Sequence, residues 1–279
     1  MPRITILCEN TVGVPGLIGE HGFSALVEFD TESILMDTGS GHGLMHNARA
    51  LHKDLSVVEK IIISHGHYDH TEGFRQALAL TYGAEVYAHP DIFGRKIAVI
   101  GQGETRRQRF IGIPYRRAYL ESLGAIFRFE RGFTEVAPDV FMTGEVPRET
   151  AFEKGDPRLF VLKDDEYVPD DFSDDQSMVI KTPQGLIIVF GCAHAGMINT
   201  IWYAQKKTGQ DRVRALLGGT HLGFLSPDQL EESVKELKKI NPETIAVSHC
   251  TGMKPAMRLM QEFGDNFIFA NAGSVFHFD

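Results

Sequence analysis

Ser64-His65-Gly66-His67-Tyr68-Asp69-His70 stands directly after the apolar run Ile61-Ile62-Ile63 and directly before a helix-forming segment. Four groups able to bind a metal, His65, His67, Asp69 and His70, fall within six residues. In an extended chain, side chains two residues apart project to the same side. His65, His67 and Asp69 can therefore converge, while His70, at the turn into the helix, points to an adjacent position. That arrangement suits two neighbouring metals. Imidazole nitrogens with one carboxylate favour zinc, manganese or iron over calcium and magnesium, which prefer oxygen shells. A loop of merely solvated histidines does not account for the run, because so many polar groups after a buried strand would be costly without partners.

Working outward, Ile4 to Cys8, Phe23 to Asp30 and Ser33 to Met36 read as consecutive antiparallel strands separated by turn material. Leu44 to Leu51 reads as a short helix, Val57 to Ile63 as a buried strand, Glu72 to Leu80 as a helix and Ala84 to Ala88 as a strand. The second half repeats the rhythm: strands Met178 to Thr182 and Leu186 to Phe190, helix Met197 to Lys207, strand Val213 to Leu217. Ser226, Pro227 and Gln229 then form a capping pattern that opens a helix with Leu230, Val234 and Leu237 on one face. Strand Thr244 to Val247, helix Pro255 to Phe263 and strand Phe267 to Ala270 complete the chain. Two halves of this kind predict an α/β fold of two packed sheets with helices outside, an αββα four-layer sandwich spanning residues 1–279 as one domain.

Residues 91–175 break the rhythm and read as an inserted cap region carrying strands such as Ala125 to Phe129 and Val140 to Thr143. Arg95, Lys96, Arg106, Arg107, Arg109, Arg116 and Arg117 cluster there against Asp91 and Glu104. They form either a solvated charged face or an anion clamp, for which arginines supply bidentate donors. The acidic run Asp164, Asp165, Glu166, Asp170, Asp171, Asp174 and Asp175 reads as a solvated loop.

The 279 residues are 43% hydrophobic and 23% charged, the proportions of an ordinary globular protein. A formal charge of -9 argues against a protein that holds a nucleic-acid backbone. No apolar stretch is long enough for a membrane span, and the amino-terminal run does not read as a signal peptide, so a cytoplasmic location is expected. Cys8, Cys192 and Cys250 are an odd number at distant positions, which indicates neither a disulfide framework nor a thiolate zinc knuckle. Cys192 and Cys250 read as small packing residues.

The HxHxDH run resembles the metal-binding motif of the metallo-β-lactamase superfamily. Met36-Asp37-Thr38-Gly39 is similar to that family's upstream strand-end aspartate, Gly191-Cys192-Ala193-His194 to its third motif, and Val247-Ser248-His249 to its last. The resemblance implies an αββα fold and two metal sites, His65, His67 and His194 in the first and Asp69, His70 and His249 in the second. It departs from the pattern at Gly218-Gly219-Thr220-His221, where the family usually has an aspartate that bridges the metals. His221 is left with three readings: ligand, hydrogen-bond donor to substrate, or buried structural imidazole. Losing the bridge is expected to weaken the second site.

Glu9-Asn10, Glu20-His21-Gly22-Phe23-Ser24 and the Gly-Gly-Thr-His variant resemble a narrower subfamily, similar to the synthase of 7,8-dihydropterin-6-yl-methyl-4-(β-D-ribofuranosyl)aminobenzene 5'-phosphate. This implies a transferase that condenses a dihydropterin pyrophosphate with an anionic aryl ribose phosphate. Asp69 and His221 are its candidate catalytic residues. Arg95, Arg106, Arg107, Arg109, Arg116, Arg117, Asn10 and His21 are candidate contacts to a small anionic substrate, with a turn-stabilising role the alternative for Asn10 and His21. One or two divalent ions are implied, zinc before manganese or iron. The alternatives are a metal-hydroxide hydrolase of a phosphoester, thioester or lactone, and a noncatalytic metal-binding or sensing protein.

Overall fold

A computed structural model describes residues 2–278. The chain opens with β1 (Arg3–Cys8), β2 (Ser24–Glu28) and β3 (Ser33–Met36), an antiparallel run. α1 (Leu44–Ala50), β4 (Val58–Ile62), α2 (Tyr68–Thr71), α3 (Phe74–Thr81) and β5 (Ala84–Ala88) follow, with β3, β4 and β5 parallel. The expected helix over Glu72 to Leu80 is α3, and a separate short helix, α2, precedes it. Gly73 donates its N–H to the Gly39 carbonyl and lies so close to the Thr38 carbonyl that a side chain there would collide with it. The turn after β3 therefore keeps α2 and α3 apart.

The next elements are β6 (Lys96–Ile100), β7 (Arg107–Phe110), α4 (Arg117–Ser122), β8 (Ala125–Phe129), β9 (Thr134–Ala137), β10 (Val140–Met142), β11 (Leu159–Lys163) and β12 (Glu166–Pro169). The last part holds β13 (Ser177–Thr182), β14 (Gly185–Phe190), α5 (Met197–Thr208), β15 (Val213–Gly219), α6 (Pro227–Ile240), β16 (Thr244–Ser248), α7 (Met253–Phe263), β17 (Phe267–Phe269) and β18 (Val275–His277). The capping pattern at Ser226 forms as expected, its hydroxyl accepting the Gln229 N–H at 3.2 Å.

One seven-stranded sheet runs β18-β1-β2-β3-β4-β5-β8, another β17-β16-β15-β14-β13-β10-β9, and a four-stranded sheet runs β12-β11-β6-β7. Alternation along the strands sorts their side chains. Ile4, Ile6, Ala25, Val27, Ile34 and Met36 of the first large sheet meet Met178, Ile180, Ile187, Val189, Ala215 and Leu217 of the second between the layers. The opposite face of the first sheet, with Leu26, Leu35 and Ile61, is covered by Leu44, Ala48, Phe74 and Leu78 of α1 and α3. That of the second, with Val179, Ile188 and Val247, is covered by Ile198, Ile201, Val234, Leu237 and Leu259 of α5, α6 and α7. The result is the αββα sandwich. No helix among the described residues is long and apolar enough to cross a membrane.

The strand pairing corrects the expected continuous cap over 91–175. β8 pairs with β5 in the first sheet and β10 with β13 in the second, so α4 to β10 belong to the sandwich. β8 hides its nature because it is an edge strand, exposing Ile126 and an Arg128 paired with Glu85. The cap is the small sheet alone, assembled from two separate hairpins, β6-β7 and β11-β12. The acidic run is corrected as well. Asp164 and Asp165 are exposed turn residues, but Asp174 and Asp175 are each 1% exposed and the Asp170 carboxylate is buried against Lys96.

Candidate metal centre

Every predicted metal-ligating residue lies beyond the carboxyl end of a parallel strand, where open α/β sheets place their ligands. β4 leads to His65 and His67, α2 carries Asp69 and His70, β14 leads to His194 and β16 to His249. Asp37, Ala193, His221 and His249 all have left-handed backbone, with φ of 55, 53, 54 and 50°. For residues with a β-carbon this conformation is costly, and such strain gathers at functional sites.

The ligand atoms of His65, His67 and His194 all lie within 4.8 Å of one another. Asp69 does not join them, contrary to the period-two reading. The extended segment ends at His67, which precedes the first turn of α2, and the helix carries the carboxylate away. Asp69 Oδ2 instead lies 3.2 Å from His249 Nε2, 3.2 Å from His21 Nε2 and 4.0 Å from His70 Nε2. Three of the histidines are held from behind. Ser64 Oγ lies 2.9 Å from His65 Nδ1, Asp37 Oδ2 lies 2.6 Å from His70 Nδ1, and Asn10 Oδ1 lies 2.9 Å from His249 Nδ1. The His194 ring stacks on Phe172 at 4.4 Å between centroids, while Asp175 accepts the N–H of Ala195 beside it.

His67 Nε2 and both ring nitrogens of His194 are buried without a hydrogen-bond partner. An unpaired buried acceptor or donor is expensive, and a metal ion would satisfy His67 Nε2 and one of the two His194 nitrogens. The donor set fits one. Burial pushes the pKa of His67 down to about 3 and lowers those of His65 and His194, so all three imidazoles are neutral, the form that ligates metals. His70 differs: burial works against its charge, but Asp37 and Asp69 outweigh burial and raise its pKa to about 9.

Asp37 fits its expected bracing place. Its Oδ1 accepts the Ser64 N–H and its Oδ2 faces both Ser64 Oγ and His70 Nδ1. With a metal bound and His70 neutral, this partner would fix the proton on Nδ1 and leave the Nε2 lone pair, which faces Cys192 Sγ at 3.2 Å, toward the centre. An Asp37→Asn amide can turn its N–H to Nδ1 and move the proton to Nε2. Metal affinity at the His70 side is expected to fall about 10- to 100-fold, read by competition with a chelator of known affinity.

A cavity opens above the histidines, lined by His21, Tyr68, Asp69, Arg109, Asp156, Arg158, His194, His221, Phe224 and His249 among others. Of the six arginines singled out in the sequence, only Arg109 lines it. Arg106 borders a neighbouring groove, Arg117 pairs with Glu121 and lies over Phe129, and Arg95, Arg107 and Arg116 are exposed elsewhere. Asn10 sits behind His249 and His21 rather than on the cavity wall, whereas His21 faces the cavity. His221 Nε2 lies 3.1 Å from Asp156 Oδ2, and that bond helps hold its pKa at about 9 against the effect of burial. Asp156 and Arg158 have no counterpart among the sequence-derived candidates. They flank Pro157 in a loop whose meeting with His221, 65 residues on, only the fold creates. Glu9, which accepts the His249 N–H at 2.6 Å, carried a local signal, because it is an acid directly after a buried strand.

Residues 17–249 match the metallo-β-lactamase superfamily. The chain is 30% identical to the 7,8-dihydropterin-6-methyl-4-(β-D-ribofuranosyl)-aminobenzene-5'-phosphate synthase of Methanocaldococcus jannaschii, covering 99% of this chain and 96% of that one. An uncharacterised protein of the same organism is also 30% identical, with 98% of each chain covered. Among solved structures, Tm1679, a metal-dependent hydrolase of the β-lactamase superfamily, superposes with a TM-score of 0.84 at 30% identity, covering 100% of this chain and 99% of that one. Zinc-bound PqqB of Methylobacterium extorquens shares the fold at a TM-score of 0.57 and 12% identity, covering 99% of this chain and 100% of that one.

Proposed function

The chain belongs to the metallo-β-lactamase superfamily, and from that premise we propose that it is a synthase-like transferase that uses divalent metal, zinc foremost, to act on a phosphorylated aromatic substrate. The observation that carries the reading is the cavity itself. Unpartnered imidazole nitrogens of His67 and His194 lie beneath a mouth that bears two arginines. His65, His67 and His194 would hold one ion, and Asp69, His70 and His249 a second. Metal bound there would lower the pKa of a coordinated water toward about 7 and polarise an electrophile.

The rest falls to the chain's own groups. Arg109 lies over the Tyr68 ring at 5.1 Å, and Arg158, whose Nε and Nη2 also pair with Asp156, lies over Phe224 at 4.9 Å, which holds two guanidinium planes beside aromatic faces at the cavity. That pairing supports an anionic group and a flat ring as what the mouth accepts. The similarity to a named synthase over nearly the full chain supports condensation of a dihydropterin pyrophosphate with an aryl ribose phosphate. Asp69 stays ionised, since His70, His21 and His249 outweigh the cost of its burial, and it would orient the attacking group.

A hydrolase of a phosphoester, thioester or lactone is the second reading, favoured by the likeness to a metal-dependent hydrolase. Incubating the metal-loaded protein with pterin pyrophosphate separates the two. Pyrophosphate release that requires the aryl ribose phosphate is expected; equal release to water alone would favour the hydrolase. On the same substrates, Arg109→Ala and Arg158→Ala are each expected to raise KM about 10- to 100-fold with little loss of kcat, the size of a charged hydrogen bond used for uniform binding. Arg95→Ala and Arg116→Ala should leave KM almost unchanged. Equal effects across all four would return the arginines to a general electrostatic role.

A further inference from the structure

We propose that the thiol of Cys192 is a metal ligand shared between the two groups of histidines, a reading that rests on the metal centre proposed above. Cys192 Sγ lies 3.2 Å from His70 Nε2. The ligand atoms of Cys192, His65 and His70 all lie within 4.8 Å of one another, and all three residues are buried. His65 belongs to the trio with His67 and His194, and His70 to the side of Asp69 and His249. The sulfur therefore stands at the junction of the two.

Charge makes that position matter. Two cations side by side repel, and an anionic ligand between them offsets part of the repulsion. Asp69 is poorly placed to serve both, because its close partners are His21 and His249 on the outer side. Gly218-Gly219-Thr220 offers no carboxylate. Cys192 can provide the charge, its thiol proton passing to solvent as the metal binds. Sulfur and imidazole are both good zinc donors, and the 3.2 Å between them needs to open by only about 0.4 Å to seat both on one tetrahedral ion, given bonds of about 2.3 and 2.1 Å.

Local packing holds the sulfur in place. A side chain at Gly219 would meet Cys250 Sγ at 2.7 Å and Cys192 Cα at 3.4 Å, and one at Gly191 would run into Ser64. The two glycines let β14 and β15 close around the thiol. Cys250 also lies near, its ligand atom within 4.8 Å of those of Cys192 and His221, but its sulfur accepts the His221 N–H at 3.2 Å and faces the Cys192 carbonyl, apart from the group of His65 and His70.

The test is cobalt substitution of the full chain, with Co(II) added stepwise to the metal-free protein. Thiolate ligation gives a charge-transfer absorption in the near ultraviolet that imidazole and carboxylate ligation lack. The wild type should show this band as the second cobalt binds. Cys192→Ser should lose it and bind the second cobalt at least tenfold more weakly, Cys192→Asp should recover affinity without the band, and Cys250→Ser should keep the band. Two bound cobalt ions without the band, or a band that survives Cys192→Ser and disappears in Cys250→Ser, overturns the proposal while leaving the metal centre standing. A wild-type protein that binds no cobalt overturns the metal centre and the proposal together. Because the band is read first in the wild type, the result does not depend on the variants folding.

Discussion

His67→Ala is expected to lose most of the more tightly bound metal and all measurable turnover. His67 has one ring nitrogen with no other use. Its Nε2 is buried and unpartnered, while its Nδ1 faces His65 Nε2 at 3.0 Å. Burial holds its pKa near 3, so no proton competes for the lone pair at neutral pH. Removing the ring takes away one of three nitrogens around the ion. The loss should exceed the roughly 10- to 100-fold that changes behind the ligands cost. Metal analysis of protein purified without chelator, beside circular dichroism to show the fold, is the measurement. Full metal content in a folded His67→Ala protein would sink the assignment of the first site.

The motif was legible because a buried strand makes its own signal and the histidines sit at its end. Ile61 and Ile62 are fully buried, and a chain leaving such a strand delivers its next side chains to one end of the sheet. The order of strands and helices was readable for the same reason, as apolar periodicity reports burial directly. His194 and His249 were reachable only through the resemblance, since nothing local joins them to His65. What stayed hidden depends on contacts between distant segments. Asp156 meets His221 across 65 residues and Lys96 meets Asp174 across 78. The charged cap misled in both directions. Five of its six arginines lie off the cavity wall, and acids that look solvated in sequence are buried because a lysine from another strand reaches them. A charge run records how many charges a segment carries but says nothing of which are paired.

That buried lysine gives the second large effect: Lys96→Ala is expected to destabilise the fold by about 3–5 kcal/mol, the cost of leaving buried charge without its partner. Lys96 is 2% exposed, with Nζ 2.8 Å from Asp170 and 2.6 Å from Asp174. Even beside Lys96, burial and the neighbouring Asp174 keep the Asp170 carboxyl above its ordinary value. Without the ammonium the pair must take up a proton to stay buried. A carboxyl whose folded pKa is raised binds more protons folded than unfolded, so the variant loses stability as pH rises through the carboxyl range and above it. The deficit against wild type should be largest near neutrality and shrink as pH falls below about 3, where the carboxyls are protonated in both states. Denaturant unfolding at several pH values measures it, and a pH-independent deficit below about 1 kcal/mol, as for a surface pair, would refute it. The effect reaches the metal centre because Asp174 Oδ2 accepts the Gly66 N–H at 2.9 Å, midway between His65 and His67. Gly66 is pressed against the Ile92 carbonyl, so the loop has no room to settle elsewhere. Lys96 on the cap thus fixes the carboxylate that fixes the backbone between two ligands. Metal affinity in Lys96→Ala should fall together with stability, whereas Lys163→Ala, which removes an exposed partner of Asp171, should change neither.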